Sequence, residues 1–188
     1  MNSILSDRII QMEESATLAM AKKARELKAQ GKDIISLSLG EPDFKTPKHI
    51  QEAAKSAIDE GKYFAYSPVA GYQDLREAIA KKLREENHIS QAKAENIVVS
   101  TGAKHSIANV FMCMINEGDE VVIFSPYWVS YAEIIKLCGG VPILIEGTLE
   151  NNFKATAAQL EAAVTPKTKA VIYSSPCNPT GSYRFGSH

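Results

Sequence analysis

Four short apolar runs rich in β-branched residues constrain the fold of this chain more than anything else in it. They are NIVVSTGA, DEVVIFSP, VPILIEG and KAVIYSSP. Helical patterns over roughly 102–116, 127–138 and 156–164 lie between them. Strands that alternate with helices in this way pair in parallel, because a parallel connection needs a crossover long enough to hold a helix. The helices then cover the faces of the sheet, which explains why the runs are apolar throughout. The expected fold class is α/β, a mostly parallel sheet with helices on both faces.

Ahead of these runs the pattern is helical. An amphipathic helix is expected from Ser6 to Gln30, stopping at Gly31, with DIISLSLG as a short strand ending at Gly40. EPDFKTPKHI is a proline-punctuated linker. Within it, Thr46 as N-cap and Pro47 at the first helical position start a helix that runs to about Gly61. YFAYSPVAGY is loop. QDLREAIAKKLREEN is an amphipathic helix with Leu75, Ile79 and Leu83 on one face.

This order puts STGA, SPYW and SSPCNPTG each at the carboxyl end of a parallel strand, the edge where open α/β sheets bind ligands. At STGAKHS, small Gly102 and Ala103 let backbone N–H groups approach an anion at a helix N-terminus, with Lys104 and Ser106 adding a cation and a hydroxyl. The other reading is a glycine that only permits a tight turn. Trp128, the single tryptophan, either stacks on a planar ring or packs into the core. Tyr66 either donates its hydroxyl to an anion or is a surface tyrosine. Asn178 either hydrogen-bonds a ligand or turns the chain. No GxGxxG or P-loop is present, so neither dinucleotide nor nucleoside triphosphate binding is suggested.

Composition narrows the partners. A net charge of −1 and no basic run interleaved with aromatics give no electrostatic case for nucleic acid or an anionic membrane. No apolar run approaches the roughly 20 residues that span a bilayer. Acidic residues within the first fifteen positions argue against a secretory leader. Cys113, Cys138 and Cys177 lack the spacing of a zinc site or a redox pair, so no metal is expected; two of them lie in apolar surroundings and read as reduced, packed thiols, and a reducing cytoplasm fits best. His49 and His88 read as solvated helix residues, and His105 as a neighbour of the anion turn with no role beyond orientation. No Ser/His/Asp order and no paired carboxylates stand out.

Taken together, SLSLGEPDF, YSPVAGYQDLREAIA, STGAKHS, GDEVVIFSPYWVSY and SSPCNPTG resemble, in order and spacing, the fold-type I pyridoxal-phosphate-dependent aminotransferases. The bacterial aspartate aminotransferase group is the nearest match, and the resemblance covers about residues 5 to 182. It implies a partial large domain of that fold, with 1–45 as N-terminal arm and small-domain segment, 46–182 as the N-terminal part of the cofactor domain, and 183–188 as a non-native or frameshifted tail. It implies a homodimer acting on an amino acid and a 2-oxo acid. Gly40 matches the glycine whose backbone meets the substrate carboxylate. Tyr66 matches the tyrosine that reaches the cofactor phosphate of the partner subunit. Gly102, Ala103 and Lys104 match the phosphate turn. Trp128 matches the aromatic stacked on the pyridine ring, and Asn178 the asparagine bonded to its phenolic oxygen; both also border the substrate. Asn178–Pro179 and Ser125–Pro126 match cis bonds of the family.

The resemblance also implies a cofactor lysine, an acid at the pyridinium nitrogen and an arginine for the substrate carboxylate, all placed after NPTG in the family. No residue of this chain matches them. The Ser90-to-Lys93 string precedes the first sheet run, and Lys104 belongs to the phosphate turn. The expectation is an N-terminal fragment of an aspartate-type aminotransferase that is itself inactive and holds no cofactor covalently. Two alternatives stand beside it: a non-catalytic, self-associating short protein, and a fragment of a pyridoxal-phosphate-dependent β-lyase.

Overall fold

The computed structural model describes residues 4–13, 15–37, 39–40 and 42–183 of the 188-residue chain. The described elements are α1 (Asp7–Ile10), α2 (Ala16–Ala29), α3 (Lys48–Asp59), α4 (Gln73–Glu85), a 3-10 turn (Ala94–Asn96), α5 (Ala103–Met114), β1 (Glu120–Ser125), α6 (Ser130–Leu137), β2 (Val141–Glu146), α7 (Ala157–Ala163) and β3 (Thr168–Ile172). They fall into two compact units, one of Met1–Leu39 with Ile107–His188 and one of Gly40–Ser106.

The first unit is built on a parallel sheet of three strands in the order β2-β1-β3. The fold is α/β with a parallel sheet, as the strand–helix alternation requires. β1 is central, and its Val121, Val122 and Ile123 are all fully buried. That is the expected state of a parallel strand covered on both faces. In β2 the N–H of Val141 points toward β1, bonding Asp119 O at 2.8 Å. Pro142 therefore sits where the N–H would face outward, the position at which an edge strand tolerates proline without losing a ladder bond. Val121 and Ile123 pack with Phe111 and Ile115 from the end of α5 and with Tyr131, Ala132, Ile134 and Ile135 of α6.

Two helix ends follow directly from glycine. After α2, Gly31 takes a φ of +81°. Its N–H bonds Lys28 O at 2.9 Å, and the Lys32 N–H reaches back to Leu27 O at 3.1 Å. This pair of bonds is the Schellman stop. α6 ends identically: Gly139 bonds Lys136 O and Gly140 bonds Ile135 O, both at 2.9 Å. A Cβ on Gly140 would lie 2.8 Å from Ile115 Cγ2 and 2.9 Å from Ile135 Cγ2, so the second glycine is demanded by packing. α7 starts at a capping box, Thr156 with Gln159.

Several expected elements differ. The helix over Ser6 to Gln30 is two helices, α1 and α2. A continuous helix would direct the Glu13 N–H to Ile9 O, but that N–H instead donates to Glu133 Oε2 at 3.2 Å. DIISLSLG forms no strand among its described residues; Ile34, Ile35, Ser36 and Leu37 instead line an open apolar groove with α2, and Ser38 lies outside the described residues. Residues 97–100 join no ladder among the described residues, and the Val99 N–H instead bonds Ala70 O at 3.0 Å. The turn at Gly102 consequently does not follow a sheet strand. α3 begins one residue later than expected, with Pro47 as N-cap and no side-chain cap from Thr46. His88 is not helical: it sits past α4 with a φ of +56°.

In the second unit, α4 packs against the 3-10 turn around Ala80 and Ala92, both buried. Arg76 Nη1 donates to Ala94 O at 3.1 Å and Arg84 Nη1 to Ala92 O at 2.7 Å. Of the expected apolar face of α4, Ile79 and Leu83 are half-buried and Leu75 is exposed.

Candidate functional site

β1 and β3 are parallel, with Ile123 beside Ile172, so their carboxyl ends open at one edge of the sheet. The loop after β1 turns at a cis Ser125–Pro126 bond and runs through Tyr127 and Trp128 into α6. The loop after β3 contains two cis bonds, Ser175–Pro176 and Asn178–Pro179. The bonds at Pro126 and Pro179 were expected from the family resemblance; the bond at Pro176 was not.

The two loops touch. The Cys177 thiol donates to Pro126 O at 3.3 Å. Within the second loop, the Asn178 N–H donates to Ser174 Oγ at 3.1 Å. The Gly181 N–H bonds Cys177 O at 2.7 Å and the Cys177 N–H bonds Ser182 O at 2.8 Å. Trp128 is half-buried, set edge-on to Tyr131 at 5.5 Å between centroids and 89° between planes. It packs against the core of this unit, as the second reading of the single tryptophan has it, and lies two residues past Pro126 in the loop after β1. Asn178 is exposed. Trp128 and Asn178 are thus carried by two loops in contact at the carboxyl edge of the sheet.

Gly40, Tyr66, Gly102, Ala103 and Lys104 belong to the second unit. Gly102 has a φ of +82°, and a Cβ placed on it would meet nothing within 4 Å. Its left-handed backbone aims the chain into α5. Its carbonyl accepts the N–H groups of His105 at 3.1 Å and Ser106 at 3.3 Å. The Gly102 N–H itself donates to Ser100 O at 2.9 Å. His105 Nδ1 accepts the Thr101 N–H at 3.2 Å, which fixes the ring across the turn. Lys104 is exposed. Tyr66 is fully exposed, and a Cβ placed on Gly40 would meet no atom within 4 Å.

Among the described residues no group of three or more His, Cys, Asp or Glu side chains can hold a metal ion. Among the same residues no helix is long and apolar enough to cross a membrane. Sequence reasoning did not single out Cys177: nothing in a polar, proline-rich run separates it from Cys113, which is exposed, or Cys138, whose thiol pKa burial pushes up.

A parallel sheet with polar loops meeting at its carboxyl edge places the chain in the open α/β class, in which that edge is where ligands bind. The family model described as aminotransferase class I and II matches residues 32–184, and the chain belongs to that family. It is 49% identical over 181 residues to an aspartate aminotransferase of Bacillus sp. (strain YM-2), covering 96% of this chain and 46% of the relative. It is 46% identical over 178 residues to an aspartate/prephenate aminotransferase of Thermus thermophilus, covering 95% of this chain and 46% of the relative. A solved aspartate aminotransferase from Thermus thermophilus with maleate superposes with a TM-score of 0.89 at 44% identity, over 95% of this chain and 46% of that one. The chain therefore spans a little under half the length of the relatives it matches.

Proposed function

We propose that this chain supplies the phosphate turn and the ring-flanking loops of a pyridoxal-phosphate-dependent aminotransferase of aspartate type. The whole protein would move an amino group between an amino acid and a 2-oxo acid. The observation that carries the reading is the contact between the loops after β1 and β3, which brings the segments of Trp128 and Asn178 to one edge. The residues present suit the cofactor. A phosphate fits the start of α5, where Gly102 leaves open space and the helix offers favourable partial charge. Lys104 adds a positive charge beside it. Trp128 presents an aromatic face to a pyridine ring, and the Asn178 amide can donate to its phenolic oxygen. Gly40 leaves its backbone accessible to a substrate carboxylate. The full exposure of Tyr66 suits a side chain that serves the phosphate of a partner subunit. When bound, pyridoxal phosphate supplies the electron sink for loss of the substrate α-proton.

The division into 1–45, 46–182 and 183–188 stays part of this reading. So does inactivity of the 188-residue chain alone, because none of its lysines matches the cofactor lysine. Assayed with aspartate and 2-oxoglutarate, the chain is expected to give no turnover above buffer; saturable turnover would end that part of the reading. Binding is tested separately with pyridoxine 5′-phosphate, which has no aldehyde and so cannot react with surface lysines. Saturable quenching of Trp128 emission is expected, with pyridoxine binding at least about tenfold more weakly than its phosphate ester. Lys104→Ala is expected to weaken the ester about threefold at low salt, with the difference shrinking as salt rises. Equal affinity for ester and free alcohol would overturn the phosphate assignment.

A further inference from the structure

The run 174–182 is made of small, polar and proline residues, and Ser175, Pro176, Asn178, Pro179 and Gly181 in it are exposed. Cys177 is its one buried residue, 5% exposed. Its side chain makes a contact with a second segment, the loop after β1. The Cys177 thiol meets Pro126 O at 3.3 Å, across 51 positions of sequence. The main chain of the same residue closes its own loop through Ser182 O and the Gly181 N–H. One residue beyond this junction along the loop after β3 is Asn178. Two residues beyond it along the other is Trp128.

We propose that Cys177 is a positioning residue, whose thiol pins the Asn178 loop to the Trp128 loop and sets the spacing between a ring-stacking face and its hydrogen-bonding partner. The functional part of this inference rests on the cofactor reading of Trp128 and Asn178; the pin itself is a property of the chain without cofactor. A thiol is a weak donor, so the hold comes from the bond and the buried packing together. Loops already held in their bound arrangement lose less conformational freedom when a ligand arrives. Serine keeps a donor of similar size at this position. Alanine removes the donor and leaves a gap.

Trp128 is the only tryptophan, so its emission reports on one of the two loops. In the 188-residue chain, Cys177→Ala is expected to raise iodide quenching of Trp128 about twofold, as a released loop opens more often to solvent. Far-UV circular dichroism should not change. Cys177→Ser should return quenching close to wild type, and Cys113→Ala should leave it untouched. Affinity for pyridoxine 5′-phosphate should fall about fivefold in the alanine variant, equivalent to about 1 kcal/mol, and recover in the serine variant. Wild-type quenching in a folded Cys177→Ala chain overturns the proposal.

If that variant does not fold, thiol labelling of the wild-type chain carries the test. Cys113 should react with an aromatic disulfide reagent at least about tenfold faster than Cys177, and Trp128 should become quenchable in step with Cys177 labelling. Labelling of Cys177 as fast as Cys113, or labelling that leaves Trp128 unchanged, also overturns it. Quenching and labelling are read without ligand. A failure of pyridoxine phosphate to bind any of these chains therefore counts against the cofactor reading and leaves the pin standing.

Discussion

Ile135→Ala is expected to lower the stability of the unit built on β1, β2 and β3 by about 2–5 kcal/mol, the range for cutting a buried isoleucine back to alanine. Ile135 is fully buried in α6, in a cluster with Ile115, Val121 and Ile123. The site has little room to collapse. Gly140 is held so close that even a Cβ there would be 2.9 Å from Ile135 Cγ2, and the Gly140 N–H is tied to Ile135 O at 2.9 Å. The loss of three heavy atoms would leave a cavity bounded by backbone that cannot move inward without breaking the helix stop. Single domains are stable by only about 5–15 kcal/mol in total, so the variant should be largely unfolded at modest denaturant. Urea unfolding followed by Trp128 emission measures the effect, because Trp128 packs against this same cluster. Leu149→Ala, at a residue 73% exposed, should move the midpoint by no more than about 0.5 kcal/mol in energy. Equal midpoints for the two variants would show that α6 does not cover the sheet as described.

The three strands that formed were legible because their reason for forming is local. VVI at 121–123 is apolar on consecutive residues and β-branched throughout, which suits a strand covered on both faces. The helix stop at Gly31 was legible for the same reason: a glycine after a periodic run supplies the left-handed residue that the stop requires. What escaped depends on partners far away in sequence. The break between α1 and α2 is fixed by a carboxylate 120 positions on, Glu133, which captures the Glu13 N–H. IVVS at 97–100 has strand composition, yet a strand exists only if its N–H and C=O groups find a ladder, and the Val99 N–H finds a loop carbonyl instead. The site divides along the same line. Trp128, Asn178 and the turn at Gly102 could be read from residue type and position after apolar runs. Cys177 could not, because its burial is decided by the other loop, 51 positions earlier.

Gly71→Ala is the substitution expected to act most strongly on the second unit. Gly71 has a φ of +96°, a backbone that a side chain resists, and a Cβ there would lie 2.6 Å from Val99 Cγ2 and 2.8 Å from Val99 Cβ. Val99 cannot swing aside: its Cβ is fixed to a backbone whose N–H bonds Ala70 O at 3.0 Å. Gly71 is held from its other side by Arg76, whose Nε donates to Gly71 O at 3.2 Å. Left-handed strain costs about 1 kcal/mol and overpacking about 1–3 kcal/mol, so a loss of about 2–4 kcal/mol is expected. The two contributions can be separated. Val99→Ala in the same chain removes the closest atom but leaves the Val99 Cβ and the φ unchanged. The double variant should therefore recover part of the loss and not all of it, a coupling that a double-mutant cycle reads directly. The consequence reaches the phosphate turn, because 97–100 leads into Gly102 and is anchored to the Tyr66 loop through this contact. Affinity for pyridoxine 5′-phosphate should fall with Gly71→Ala and partly return in the double variant. Wild-type stability in Gly71→Ala would mean that the two segments do not approach each other in solution, and the anchoring of the turn would fall with it.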